Sequence, residues 1–395
     1  MDITKIINCG EENVMNTYGR LPMALVKGSG TLVWDSEGKK YLDFVTGLAV
    51  TSLGHSHPEI VETIRKQAGD MLHSANLYWI PNQVRLAEML TVNSFADKVF
   101  FCNSGAEANE GAIKLARKYT KKNYNHEKYK IVSLKNSFHG RTLGALTATG
   151  QTKYQKGYEP LPAGFSYIEM DNIAELESSV DKQTAAVIVE PIQGEGGVHP
   201  VSKEYMQKVR EVCDQTGALL IMDEVQCGLG RTGKLFAHEW FGIKPDIMTL
   251  AKALGNGVPI GAMLATDKVA ACFQPGDHAS TFGGNHLVSA VGGKVLEIMT
   301  RKDFLPEVEA KGRYFQDKLR NLAQKHGLQG QVRGLGLMIG LPVGEKGPGI
   351  VGFCCEHGLL INCVGGATLR FLPPLTVTTE EIDQALEILD QAFRK

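Results

Sequence analysis

Two stretches decide how this chain is read: Ala218-Leu-Leu-Ile-Met-Asp223 and Asp246-Ile-Met-Thr-Leu-Ala-Lys252-Ala-Leu-Gly-Asn-Gly257. In both, consecutive apolar residues run without polar alternation, the pattern of a strand covered on both faces. The first closes on a carboxylate, Asp223, and an amine, Lys252, stands two residues past the second. An acid and a base at the carboxyl ends of two buried strands are the features the rest of the sequence must explain.

Working outward, further runs of the same kind occur at Val99-Phe-Phe-Cys102, Ile131-Val-Ser-Leu134, Ala185-Ala-Val-Ile-Val189 and Gly261-Ala-Met-Leu-Ala265. Helical patterns lie between them: Ala106 to Lys118 repeats apolar or small residues at 108, 112, 113, 115 and 116, and Glu204 to Thr216 does so at 205, 206, 209, 212 and 213. Alternation of buried strands with amphipathic helices predicts an α/β fold, a large, mainly parallel sheet sandwiched by helices. The ends differ in character. Residues 28–35 and 38–43 read as a small hairpin. From about 290 onward come helices at 287–301 and 308–326, the apolar stretch Val332 to Leu341, and a closing helix from Thr379 to Arg394 that opens with a cap and acids. The expected organisation is an N-terminal segment (1–55), a large domain (56–290) and a C-terminal small domain (291–395), both termini building one smaller α+β unit.

Composition excludes several classes. Of 395 residues, 43% are hydrophobic and 22% charged with a net charge of -1, which argues against disorder and against a polyanionic partner such as nucleic acid. Nothing approaches the roughly 18 apolar residues of a membrane span. Met1-Asp-Ile-Thr-Lys lacks the apolar core of a signal peptide. The expected location is the cytoplasm, where the eight scattered cysteines stay reduced. No metal site is expected: His55-Ser-His57 stands between Gly54 and Pro58 as a turn, with no third ligand near it.

Lys252 alone is compatible with an ordinary surface lysine after a strand. Its surroundings are not ordinary, since Ala251, Ala253, Gly255, Gly257, Pro259 and Gly261 leave room for a flat ring beside it. Asp223 alone could be a turn residue, yet a protonated pyridine nitrogen is a partner that would keep a desolvated carboxylate ionised. Asn103-Ser-Gly-Ala-Glu-Ala-Asn-Glu110 joins the strand at 99–102 to a helix, so free N–H groups at the helix start suit a phosphate, and Gly105 lets it approach. Amine, carboxylate and phosphate cradle together describe a site for pyridoxal 5'-phosphate. Gly228-Leu-Gly230-Arg-Thr-Gly233 matches a dinucleotide-binding fingerprint in letters only: it does not follow the first strand, and no clear helix begins after it.

At Asp223-Glu-Val-Gln226 and Lys252-Ala-Leu-Gly-Asn-Gly257 the chain resembles the class III, ornithine-type, aminotransferases of the type I pyridoxal-phosphate fold. Leu53-Gly-His-Ser-His-Pro58, Asn103 to Asn109, Phe138-His-Gly-Arg-Thr142, Val189-Glu-Pro-Ile-Gln-Gly-Glu-Gly-Gly197, Ser280-Thr-Phe-Gly-Gly-Asn285 and Leu369-Arg-Phe371 extend the likeness over nearly the whole length. The resemblance implies that Lys252 is the amine that joins the cofactor, that Asp223 faces its ring nitrogen and Gln226 its ring hydroxyl. It implies that Phe138 stacks on the ring and that Ser104, Gly105 and Ala106 hold the phosphate. Thr281 is implied to reach the phosphate of a neighbouring subunit, making a homodimer with shared sites. Arg141 and Arg370 are implied as carboxylate clamps, Glu195 as the residue that covers Arg370 while the ω-amino donor is bound, and Tyr18 and Ser280 as substrate contacts.

Within that resemblance, the short chain, Asn16-Thr-Tyr-Gly-Arg-Leu-Pro22 and the run 223–236 look most like the members that act on N2-acetylornithine, which implies N2-acetylornithine as donor and 2-oxoglutarate as acceptor, an arginine-biosynthetic step. Ornithine, succinylornithine and 4-aminobutyrate are the alternative donors. Asn256 and Leu372 depart from residues frequent in the family and bear on the shape of the donor pocket. Racemisation or mutase chemistry would use the lysine and aspartate without needing two clamps, and a non-catalytic protein on the same fold would not need the cofactor.

Overall fold

The computed structural model describes residues 2–124, 127–328 and 331–394. Its centre is a seven-stranded sheet in the spatial order Lys98–Cys102, Gly261–Ala265, Ile247–Leu250, Leu219–Asp223, Thr184–Val189, Lys130–Leu134, Phe165–Ile168. All pairings are parallel except the two made by Gly261–Ala265, which runs antiparallel to both neighbours. The six apolar runs are six of these strands. The seventh, Phe165–Ile168, escapes a search for apolar runs because it lies at the sheet edge and carries Ser166 and Tyr167, only its last residue being buried. Thr184–Val189, Leu219–Asp223 and Ile247–Leu250 are buried at every position, which is why their sequences show no alternation.

Crossover helices cover the sheet. Gly105–Asn123 starts one residue before the predicted helix and runs five beyond it, packing against the strands through Ala108, Ala112, Leu115 and Ala116. Lys203–Thr216 is capped by Ser202, whose Oγ accepts from Tyr205 N, and ends on Gly217 at φ 69°, a left-handed position that glycine occupies without penalty. Helix His286–Met299 runs straight through position 290 and packs on Pro58–Asp70 and Pro81–Val92.

The two ends of the chain meet. Leu25–Ser29, Leu32–Asp35 and Lys40–Asp43 form an antiparallel meander, and Leu359–Leu360 joins it in parallel with Lys40–Asp43. A second four-stranded sheet, Arg333–Leu335, Met338–Pro342, Thr368–Phe371 and Asn362–Val364, belongs to the C-terminal part. Helices Phe304–Lys325 and Thr379–Phe393 pack on each other beside it. The last starts in a capping box: Thr378 Oγ1 accepts from Glu381 N at 3.2 Å while Glu381 accepts from Thr378 N at 2.9 Å. No helix among the described residues is long and apolar enough to cross a membrane.

The Gly228–Gly233 segment starts no dinucleotide-binding helix. Gly230 and Gly233 have φ 83° and 89°, so the chain turns twice, and Arg231 between them is fully buried. Its guanidinium donates to Leu337 O at 3.1 Å, Pro373 O at 2.6 Å and Ser52 Oγ at 2.9 Å, tying the loop after strand Leu219–Asp223 to both chain ends.

Candidate active site

The strand ends converge on a cavity of about 430 Å³. Its walls include Ser104, Gly105, Ala106, Phe138, Arg141, Glu195, Asp223, Gln226 and Lys252, nine of the thirteen residues singled out from the sequence. Lys252 stands at φ 44°, an uncommon position for a residue with a Cβ, and opens a one-turn 3₁₀ helix directly after its strand. Backbone strain held by the surrounding fold is frequent where a side chain must point one way. Burial in the cavity holds the Lys252 ammonium below the usual lysine range, with Glu195 pulling the other way and Arg370 reinforcing the effect.

Asp223 is buried and closely held. Its Oδ2 lies 2.7 Å from His139 Nδ1 and accepts from Asn109 Nδ2 at 2.8 Å, while Oδ1 accepts from Val225 N at 3.0 Å. Thr249, on the next strand, in turn donates to Asn109 Oδ1 at 2.8 Å. Burial opposes a charge on His139, but the bond to Asp223 prevails and raises its pKa. Asn109, His139 and a third buried neighbour, Glu190, also belong to the site; all three lie inside the quoted motifs, but nothing in the sequence marks them out. The missing signal is spatial, since 109 lies on helix Gly105–Asn123, 139 in the loop after strand Lys130–Leu134 and 223 at the end of strand Leu219–Asp223. Burial pushes the Glu190 carboxyl up to about 8, although its Oε2 accepts from Phe138 N at 2.9 Å.

At the other end of the cavity, Ser104 caps helix Gly105–Asn123 by accepting from Glu107 N at 3.2 Å. The N–H groups of Gly105 and Ala106, in the first turn, have no acceptor within the helix, and both residues line the cavity. A Cβ on Gly105 would come within 2.6 Å of Val225, so only glycine fits this floor. A phosphate suits those free donors and the positive end of a 19-residue helix. A planar ring suits the space beside Phe138, with Asp223 as acceptor for a ring N–H and Lys252 within the same cavity. The residues present therefore fit pyridoxal 5'-phosphate.

Arg370 lies behind the cavity wall, its side chain 1% exposed, with NH1 2.6 Å from Glu195 Oε1 and 3.4 Å from Gln226 Oε1. Burial alone would raise the Glu195 carboxyl; the guanidinium beside it outweighs this and holds it below its usual range. Glu195 lies in Gly194-Glu-Gly-Gly197, where the chain packs closely: a Cβ on Gly194 would meet the Gln226 amide oxygen, and one on Gly196 would come within 2.8 Å of Asn136 O. Arg141 is exposed and makes no ion pair among the described residues.

The remaining three expected residues lie outside this wall. Tyr18 is exposed in a separate, larger groove between the N-terminal helix Ile3–Asn13 and the C-terminal part. That groove backs onto the clamp through Asn362, whose Oδ1 accepts from Arg370 Nε at 3.2 Å. Ser280 Oγ accepts from Asn103 Nδ2 at 3.2 Å, beside the phosphate cradle, and Thr281 next to it is exposed. His55 and His57 do not converge: His55 Nε2 pairs with Asp43 Oδ2 at 2.7 Å, fixing the turn before Pro58.

Comparison with known proteins gives a consistent picture. The family model for class-III aminotransferases matches residues 14–393. The chain is 56% identical to an acetylornithine aminotransferase of Caldanaerobacter subterraneus subsp. tengcongensis, over 98% of this chain and 99% of that one. It is 49% identical to one of Methanocaldococcus jannaschii, over 96% and 95%. Among solved structures it is similar to ornithine aminotransferase from Toxoplasma gondii ME49, with TM-score 0.96 and 32% identity over 100% of this chain and 95% of that one. Acetylornithine aminotransferase from Elizabethkingia anophelis gives 0.89 and 32% over 100% and 99%.

Proposed function

This chain belongs to the class III aminotransferases, and on that premise we propose that it moves the terminal amino group of N2-acetyl-L-ornithine to 2-oxoglutarate, giving N-acetyl-L-glutamate 5-semialdehyde and L-glutamate. The fold is the type I pyridoxal-phosphate transferase fold, and the enzymes of this family use that cofactor.

The observation that carries the substrate assignment is the pairing of Glu195 with Arg370 at 2.6 Å while Arg141 has no carboxylate partner among the described residues. An acylated α-nitrogen is neutral, so N2-acetylornithine presents one carboxylate and needs one guanidinium. 2-Oxoglutarate carries two carboxylates and needs Arg370 as well, which Glu195 can release. A planar guanidinium binds a carboxylate through two parallel hydrogen bonds, which fixes orientation as well as charge.

Lys252, Asp223, Gln226, Phe138 and the N–H groups at Ser104 to Ala106 would hold pyridoxal phosphate, which would supply an aldehyde carbon to receive the amino group and a ring that withdraws electrons. The chain's own residues do the rest. Lys252 Nζ, held below the usual lysine range by burial, is the base that removes a proton from the substrate carbon bearing the amine and the acid that returns one. Asp223, fixed by His139, Asn109 and Val225, presents its carboxylate in one orientation. Arg141 sets which end of the substrate faces Lys252.

The working unit in this reading is a cytoplasmic homodimer. Leu77, Tyr78 and Trp79 are 87%, 70% and 90% exposed, and Phe282, next to Thr281, is 59% exposed. An apolar strip of that kind beside the cradle is suited to a second copy whose phosphate Thr281 reaches.

The deciding experiment measures kcat/KM side by side for N2-acetylornithine, N2-succinylornithine, ornithine and 4-aminobutyrate with 2-oxoglutarate as acceptor. N2-acetylornithine is expected to lead. A higher value for ornithine or 4-aminobutyrate would move the enzyme to another ω-aminotransferase assignment.

A further inference from the structure

Arg141 presents an unusual combination: it is exposed, without a carboxylate partner, and yet it is not loose. Its guanidinium carbon lies 3.9 Å from the ring centroid of Tyr154 and 5.4 Å from that of Phe138. The two rings meet edge to face, 5.9 Å apart at 85°. Phe138 lines the cavity, so among the described residues it is aromatic faces that hold the guanidinium at the cavity mouth.

The support under Tyr154 is rigid. It belongs to the short helix Thr152–Gln155, and the buried amide of Gln155 donates to Thr149 O at 2.9 Å and to Tyr167 Oη at 2.8 Å. From the other side, Glu110 Oε1 accepts from Thr142 Oγ1 at 2.6 Å, Gly144 N at 2.8 Å and Ala145 N at 3.1 Å, pinning the backbone just after Arg141.

A carboxylate partner would orient an arginine by occupying its N–H donors. An aromatic face attracts the cation through the ring quadrupole and leaves the donors at the edge free. We infer that Tyr154 is a positioning residue for the carboxylate clamp: its ring holds the Arg141 guanidinium at the cavity mouth with its hydrogen-bonding edge open to the substrate carboxylate. This rests on the reading of Arg141 as the clamp. Tyr154 acts through Arg141 and through the ring face, so the phenolic hydroxyl is dispensable and the ring is not.

The test is a double-mutant cycle on the holoenzyme, with steady-state kinetics for N2-acetylornithine and calorimetric Kd for N2-acetyl-L-norvaline, which has the carboxylate but no terminal amine. Tyr154→Leu should raise both KM and Kd about tenfold, the scale of one such contact, with kcat within twofold of wild type. Tyr154→Phe should behave as wild type. Arg141→Gln should raise both constants further, and Tyr154→Leu added to Arg141→Gln should cost nothing more. Additive losses, an unchanged KM in Tyr154→Leu, or a fall in kcat without a rise in KM would each overturn the role of Tyr154. If Arg141→Gln itself leaves KM and Kd unchanged, the clamp assignment falls and the Tyr154 proposal with it.

Discussion

His139 Nδ1 sits 2.7 Å from Asp223 Oδ2, an oxygen that Asn109 Nδ2 also reaches at 2.8 Å. Two donors on one oxygen fix the carboxylate plane and leave Oδ1, bonded only to Val225 N, for a further partner. Asn109→Leu removes one donor and orphans Thr249 behind it. The expected result is a cofactor bound roughly tenfold more weakly, the usual consequence of losing a residue that orients a ligating group. Equilibrium dialysis against pyridoxal phosphate measures it; an unchanged Kd would mean that His139 alone suffices.

Lys252 is the cavity's amine, so Lys252→Ala should abolish turnover and leave borohydride unable to fix the cofactor to the protein. The phosphate cradle at Ser104 to Ala106 is untouched by the change, and non-covalent retention of pyridoxal phosphate should persist. Mass spectrometry of the borohydride-treated protein reads the outcome. A covalent adduct in the variant would place the reacting amine elsewhere.

Arg370, 1% exposed, pairs with the partly exposed Glu195, and Glu195→Ala would leave the buried guanidinium without its charged neighbour. Arg370 would then be open to a second carboxylate in both halves of the reaction. Donors with a free α-amino group should gain relative to N2-acetylornithine by about tenfold in kcat/KM, since a buried charged contact is worth about 1.5–3 kcal/mol, while cofactor affinity stays unchanged. The ratio of rates with glutamate and N2-acetylornithine as donors checks this; an unaltered ratio would remove Glu195 from substrate selection.

What the sequence made legible was whatever depends on strands buried on both faces. Thr184–Val189, Leu219–Asp223 and Ile247–Leu250 have no polar side to confuse the pattern, and they carry Asp223 and lead to Lys252. Phe165–Ile168 was illegible because this edge strand buries only its last residue and so shows no continuous apolar run. The second sheet, with Asn362–Val364 and Thr368–Phe371, was hidden by strands of three and four residues set among glycines. Within the site, single-residue roles tied to motifs were readable, whereas the support under them was not: His139 and Asn109 reach Asp223 across the fold, from 84 and 114 positions away.

Glu190 gives the site a pH signature. Its pKa is pushed up to about 8 by burial from an ordinary 4.5. In the unfolded chain the carboxyl ionises near its ordinary value, whereas the folded protein keeps the proton until about pH 8. The folded state therefore binds more protons between those limits, and this residue's contribution to stability declines as pH rises through that window. Glu190→Gln keeps an acceptor for Phe138 N and removes the titration. Relative to wild type it should gain at least about 1 kcal/mol on going from pH 5 to pH 8, read from urea midpoints at the two pH values. A constant difference would show that Glu190 does not titrate in that range.

Arg231 is fully buried with no carboxylate beside it among the described residues, and burial lowers its pKa to about 9. Its cost is offset by Leu337 O, Pro373 O and Ser52 Oγ, which lie on both chain ends, while Arg231 O in turn accepts from Leu337 N at 3.0 Å. Arg231→Met would fill most of the volume but orphan two carbonyls in a dry interior, and each unmet acceptor costs about 1–3 kcal/mol. A loss of about 3 kcal/mol in a chain of this size lowers the melting temperature by roughly 3 to 5 °C. Because the broken bonds join the loop after Asp223 to the C-terminal sheet that carries Arg370, the loss should come with a raised KM for 2-oxoglutarate and little change in cofactor affinity. Calorimetry and acceptor titration together decide it: a melting temperature within a degree of wild type would show that Arg231 does not hold the two parts together.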